Sequence, residues 1–198
     1  HGGDITLLSP RAVTGLGISR SFQIPQLFAG LSALDNLLVA LGVTPSARQG
    51  LWRPLKRGET VDAAARILDR YGIADYQTQK AGMLPQGVRK LLDIAMATVG
   101  EPKLVLLDEP TSGISVDEKF AVMDALMAIL GDQGVTVLFI EHDMEIVERY
   151  GMRVVAFYDG RIIADGVPAD VLADDDVRQY IVGAELHRRR AVSGDARC

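Results

Sequence analysis

The stretch Leu104-Val105-Leu106-Leu107-Asp108-Glu109-Pro110-Thr111-Ser112-Gly113 constrains this chain more than any other. Four consecutive apolar residues run into two adjacent carboxylates and then a turn, which reads as a buried parallel strand delivering acids to its C-terminal edge. In open α/β sheets that edge carries the chemistry. Asp108, last on the strand, is placed to hold a magnesium ion directly or through water. A hard divalent cation is usually bound by one or two carboxylates together with phosphate oxygens. Glu109, one residue beyond, would face a substrate. The bland alternative is that both acids merely cap the turn that follows.

A second apolar run, Val135 to Ile140 with Thr136 inside it, ends in Glu141-His142-Asp143. Between the two runs, Val116 to Leu130 is helical, with Phe120, Met123, Leu126, Met127 and Leu130 facing the core. Strand, helix and strand make a right-handed βαβ unit, so His142 is expected on the same sheet edge as Asp108 and Glu109. One imidazole offers too few nitrogen ligands for a transition-metal site.

Upstream, Arg11 to Gly15 reads as a short helix and Ile18 to Phe22 as a short strand, with Gln23 where Pro25 forces an extended loop. Leu34 to Leu41 is a short apolar helix. Gly42 to Gly58 reads as a surface excursion in which Trp52 either anchors a partner or pins its own loop. Val61, Ala64, Ile67, Leu68 and Tyr71 fall at helical spacing and Gly72 ends the run. The turn Leu84-Pro85-Gln86-Gly87 feeds a further helix, with Val88, Leu91, Leu92, Ala95, Met96 and Val99 on one face. Its N-terminus suits an anion such as phosphate, and equally suits an ordinary helix start. Downstream, Arg153 to Tyr158 and Arg161 to Ala164 alternate around Asp159-Gly160, a hairpin signal. Pro168 to Leu172 and Val177 to Val182 read as two short helices, and His187 to Cys198 as a frayed basic tail.

Composition narrows the class. With 198 residues, 48% of them hydrophobic, the chain can build one well-cored domain with a small lobe. A net charge of -5 argues against a general nucleic-acid binder. The single cysteine, Cys198, leaves no internal disulfide and makes a reducing compartment the default. No apolar run approaches the roughly 20 residues of a spanning helix, so direct membrane insertion is not expected. The chain opens on His1 rather than Met, as though already inside a fold, and reads as a piece of a longer one.

Five motifs carry a family resemblance. Ser21-Phe22-Gln23, Leu84-Pro85-Gln86-Gly87-Val88-Arg89-Lys90, Leu104 to Pro110, Ser112-Gly113-Ile114-Ser115 and Ile140-Glu141-His142 stand in the order and approximate spacing of five ABC-transporter ATPase motifs. These are the Q-loop, signature, Walker B, D-loop and switch histidine. Gly3-Asp4-Ile5-Thr6, Gly17 to Gln23 with Leu27-Phe28, and Ile163 to Val171 running to Tyr180 resemble the branched-chain amino acid importer subunits in particular. The resemblance implies an α/β, P-loop NTPase-like core with a helical subdomain, N-terminally truncated. It divides the chain into a β remnant with the Q-loop (1–33), a helical subdomain with the signature (34–100), an α/β catalytic core (101–183) and a basic tail (184–198).

Two departures from the family pattern follow. No G-x-x-x-x-G-K-[ST] occurs in these residues, so the loop that cradles the β- and γ-phosphates is missing and weak nucleotide binding is expected of the chain as given. The signature carries Pro85, which has neither a hydroxyl nor an N–H to offer a γ-phosphate. By resemblance, ATP and Mg2+ are the ligands, with catalytic roles for Glu109, His142 and Gln23. Asp108 and Gln23 would serve the metal, and Gln86, Gly87, Ser112 and Gly113 the nucleotide and the dimer interface. The implied partners are a second ATPase subunit, identical or not, and transmembrane permease subunits, at the cytoplasmic face of the cell membrane. A soluble ABC-type ATPase is the alternative, although neither a second cassette nor a coiled-coil insertion is present. The third reading is a non-catalytic fragment that self-associates through an uncovered edge or apolar face.

Overall fold

The two apolar runs pair side by side, and a third strand joins them. The computed structural model describes residues 2–21, 23–44 and 58–182; Trp52 and the basic tail fall outside these residues. The chain divides into two compact units, His1–Ile140 and Glu141–Cys198.

In the first unit, α1 (Pro10–Gly15) begins where the Ser9 side chain accepts the Ala12 amide and Pro10 supplies a preset φ. β1 (Ile18–Ser21) follows, then α2 (Ala33–Gly42), α3 (Gly58–Arg70) and α4 (Gln86–Thr98). β2 (Leu104–Asp108), α5 (Val116–Asp132) and β3 (Thr136–Ile140) complete the unit. The sheet order is β1-β2-β3, all parallel, and the register sets Arg20 beside Leu106, Leu106 beside Leu138, and Asp108 beside Ile140.

Strand alternation sorts these residues onto two faces. Val105 and Leu107 point to the face covered by α4 and α5, where they are 0% and 2% exposed. Leu138 and Ile140 point the other way and are 58% exposed. The apolar runs predict strands buried throughout; β3 instead carries an apolar face open to solvent, since Leu138 and Ile140 lie on the face opposite the one that buries Val105 and Leu107.

Helix α4 departs from its predicted single apolar face in the opposite sense. It touches α2, α3, α5 and β1, and six consecutive residues, Lys90 to Ala95, are buried. On α5 the buried stripe is Lys119, Val122, Met123, Leu126, Ile129 and Leu130, so Phe120 and Met127 sit only at its margin. Buried Asn36 closes the loop before α2, accepting the Phe28 amide at 2.8 Å and donating to the Ser32 carbonyl at 2.9 Å. Tyr71 and Thr98 share a buried hydroxyl hydrogen bond of 2.8 Å, and burial pushes the Tyr71 phenol above its ordinary range.

The second unit opens with α6 (Met144–Tyr150), capped by Asp143. β4 (Val154–Tyr158) and β5 (Arg161–Gly166) then form the expected antiparallel hairpin. Asp159 and Gly160 both take positive φ, 48° and 73°, as this turn requires. Arg153 holds Asp165 with two hydrogen bonds of 2.8 and 2.7 Å, which lowers the carboxyl pKa. Ala156, Val171 and Val177 form a small core under α7 (Pro168–Ala173). The predicted last helix is split: α8 (Asp175–Val177), capped by Asp174, gives way to a π-helical turn over Arg178–Val182. No described helix is long and apolar enough to cross a membrane.

Candidate functional site

Two chain exits meet at the C-terminal edge of the sheet. β2 ends on Asp108, and the next residue, Glu109, turns into the left-handed region with φ 46°. That conformation costs a residue other than glycine roughly 1–2 kcal/mol, so the surrounding contacts must hold it. Two hydrogen bonds secure Glu109. Its amide donates to the Ile140 carbonyl at 2.9 Å, tying the turn to the end of β3, and its Oε2 accepts Gln23 Nε2 at 2.6 Å. Gln23 comes from the loop that leaves β1, so the exits of all three strands are linked around one residue, Glu109.

Asp108 has a partner the sequence did not signal. Arg20, third on β1, donates from Nη2 to Asp108 Oδ2 at 2.8 Å, with side-chain exposures of 54% and 27%. The register explains it: Arg20 stands beside Leu106, on the face of the sheet that also carries Asp108. Alternation within Ile18 to Ser21 shows that Arg20 and Ser21 point to opposite faces; only strand pairing shows which acid Arg20 meets.

The turn after Glu109 is short and backbone-bonded, the Ser112 amide donating to the Glu109 carbonyl at 3.1 Å. Gly113 takes φ 76°, and a Cβ there would lie 3.4 Å from Gln86 Nε2. The Gln86–Gly87 turn and the Ser112–Gly113 turn therefore adjoin within one chain. Pro85 precedes α4 at φ -53°, with no side-chain cap on the helix. A Cβ on Gly87 would lie 3.4 Å from Val122 Cγ2, an ordinary contact, so packing of α4 on α5 does not by itself demand glycine there. His142 belongs to the second unit, where it is exposed and precedes the Asp143 cap of α6. The structure thus brings Gln23, Asp108 and Glu109 together, and Gln86 with Gly113.

Asp108, Arg20, Leu106, Leu107, Leu138 and Ile140 also line an open cleft of about 250 Å³. Its walls are aliphatic apart from the ion pair, which suits an apolar cover better than a triphosphate. Among the described residues no group of three or more His, Cys, Asp or Glu side chains is placed to hold a metal. A single carboxylate suits magnesium arriving with phosphate oxygens and water, and does not suit a cage built wholly of protein.

The site is thus a parallel sheet with adjacent acids at its C-terminal edge, a helical segment inserted between β1 and β2, and a glutamine reaching the second acid. The chain belongs to the ABC transporter family, whose profile matches residues 3–112. It is 31% identical over 193 residues to a probable branched-chain amino acid transport ATP-binding protein LivG of Archaeoglobus fulgidus, covering 93% of this chain and 73% of that protein. It is 32% identical over 189 residues to the corresponding protein of Methanocaldococcus jannaschii, covering 91% and 73%. Among solved structures, an ATP-binding cassette of an ABC transporter superposes with a TM-score of 0.76 at 32% identity, covering 89% of this chain and 72% of that one. The fold is that of the ABC ATPase cassettes.

Proposed function

We propose that this chain belongs to an ATP-hydrolysing subunit that energises an ABC importer for branched-chain or related amino acids. The observation that carries the chemistry is the 2.6 Å hydrogen bond from Gln23 to Glu109 at the sheet edge of an ABC-family fold. Phosphoryl transfer asks a protein mainly for positioning and charge stabilisation, which acids, an amide and an imidazole can supply. Glu109 would orient the attacking water and take its proton. The Gln23 amide, held on Oε2, would keep that carboxylate aimed and sense the metal. Asp108 would hold the magnesium that accompanies the nucleotide and supplies charge neutralisation; Arg20 occupies its Oδ2 and would compete with the metal for that oxygen. His142 would contact the γ-phosphate. Gln86 and Gly87, at the start of α4, would serve the nucleotide of the opposite subunit, and Ser112 and Gly113 the interface between subunits.

The relatives are named for branched-chain amino acid transport and ATP binding, which supports an amino-acid cargo; the motif resemblance is what implies membrane-embedded permease partners, a second ATPase subunit and a peripheral place at the cytoplasmic face. The sequence has no G-x-x-x-x-G-K-[ST], so we expect the 198 residues alone to bind Mg-ATP weakly or not at all. Calorimetric titration of this chain should show no binding into the millimolar range; one micromolar site would mean the phosphates have another anchor. In the complete protein, Glu109→Gln should abolish turnover while nucleotide binding is retained. Unchanged turnover would remove Glu109 from its role.

A further inference from the structure

Helix α4 carries two charged side chains into the interior, Lys90 at 0% and Asp93 at 6% exposure. Three residues apart, they lie on one side of the helix. Charges this deep persist only where hydrogen bonds satisfy them, and three bonds that they make reach one short segment. Lys90 Nζ donates to the Gln23 carbonyl at 2.8 Å. Asp93 Oδ2 accepts the Ser21 hydroxyl at 2.6 Å, and its Oδ1 accepts the Gln26 amide at 2.9 Å. Ser21, Gln23 and Gln26 all belong to the segment that leaves β1 and presents the Gln23 side chain to Glu109. Pro25 within it has no N–H to contribute to any ladder. The segment is held from the α4 side at both shoulders and at its centre.

We propose that Lys90 and Asp93 are positioning residues that clamp the Gln23 loop, so that the Gln23 amide stands ready on Glu109 Oε2. Asp93 holds the ends of the loop and Lys90 sets the peptide plane of Gln23 itself. This rests on the catalytic reading of Gln23 and Glu109. Neither α4 residue touches the reacting atoms; each acts through the loop. A salt-tolerant apolar core would have been simpler to pack at these positions. What the two charges add is directional bonding to the end of β1 and to Gln23 and Gln26, which belong to no sheet or helix.

The test uses the complete protein and two readouts, steady-state ATP hydrolysis and hydrogen exchange of the Gln26 amide. Lys90→Met keeps the aliphatic length and removes the donor. It should lower kcat by about tenfold or more with KM for ATP changed less than about twofold, because the loss is of alignment and not of nucleotide binding. Lys90→Arg, which retains a donor, should recover most of that kcat. Asp93→Leu should raise the exchange rate of the Gln26 amide by about tenfold or more while amides of β2 stay protected. Should either variant fail to fold, Ser21→Ala, which removes only one hydroxyl, carries the test: a fall in kcat at unchanged KM supports the clamp. Wild-type kcat in folded Lys90→Met, or in Ser21→Ala, overturns the proposal, as does unchanged exchange at Gln26 in folded Asp93→Leu. If the exchange result holds while Glu109→Gln keeps full turnover, the clamp stands as structure and it is the catalytic reading that falls.

Discussion

Glu109 offers a stability measurement whose sign reports on its backbone. At φ 46° its Cβ crowds the neighbouring carbonyl, a cost of roughly 1–2 kcal/mol that glycine does not bear. Glycine also has more conformational freedom to lose on folding, which favours alanine by about 0.4–1 kcal/mol at an ordinary loop position. Neither Glu109→Ala nor Glu109→Gly retains the carboxylate that accepts Gln23 Nε2, so that loss cancels in their comparison. What remains is strain relief less chain entropy, which at the midpoints of the two ranges leaves the glycine variant more stable by about 0.8 kcal/mol. In a chain of this size that difference corresponds to roughly 2–3 °C in Tm. Paired urea titrations of the two variants, read for midpoint at constant slope, measure it directly. Both variants should lack turnover in the complete protein, separating what the conformation costs from what the side chain does. A Glu109→Ala protein as stable as Glu109→Gly, or more so, would refute the claim that the chain holds this residue under strain.

Three further outcomes are expected. Arg20→Ala removes the cation on Asp108 Oδ2; with Arg20 half exposed, stability should change by less than about 1 kcal/mol. The magnesium concentration for half-maximal hydrolysis in the complete protein should fall, and a rise would show that Arg20 assists the metal site. Tyr71, whose phenol is raised by burial above the ordinary value of 10.0, stays protonated in the folded chain at pH values where the unfolded chain ionises. Its contribution is therefore full below about pH 10 and is lost as pH rises through the folded value, so Tyr71→Phe should flatten the alkaline limb of a stability profile relative to wild type. Leu138 and Ile140 expose an apolar face of β3, and Leu138→Glu with Ile140→Lys should reduce concentration-dependent association in size-exclusion chromatography; equal association would place the contact elsewhere.

The local elements were largely legible from sequence. The helices expected over Arg11 to Gly15 and Leu34 to Leu41 form as α1 and α2, and the Asp159-Gly160 hairpin turns where its signal stands, whereas α6 after the Asp143 cap was not anticipated. Each of the expected elements rests on neighbours a few residues apart. The contact of Gln23 with Glu109, 86 positions away, was legible only through motif spacing. The missed features share one cause. Arg20 reads as a polar position on a short strand until β2 is laid beside it, and Lys90 and Asp93 read as the solvated side of an amphipathic helix.

Charge and hydrophobicity along the chain thus determined which segments become strands and helices, where they stop, and which carboxylates reach the sheet edge. Tertiary structure decided the rest: that α4 is enclosed on every side and must bond its own charges, that β3 is covered on one face only, and that Glu109 takes a left-handed turn. Periodicity records how a segment divides into faces. It does not record how many of those faces other elements will cover, because that depends on chain distant in sequence.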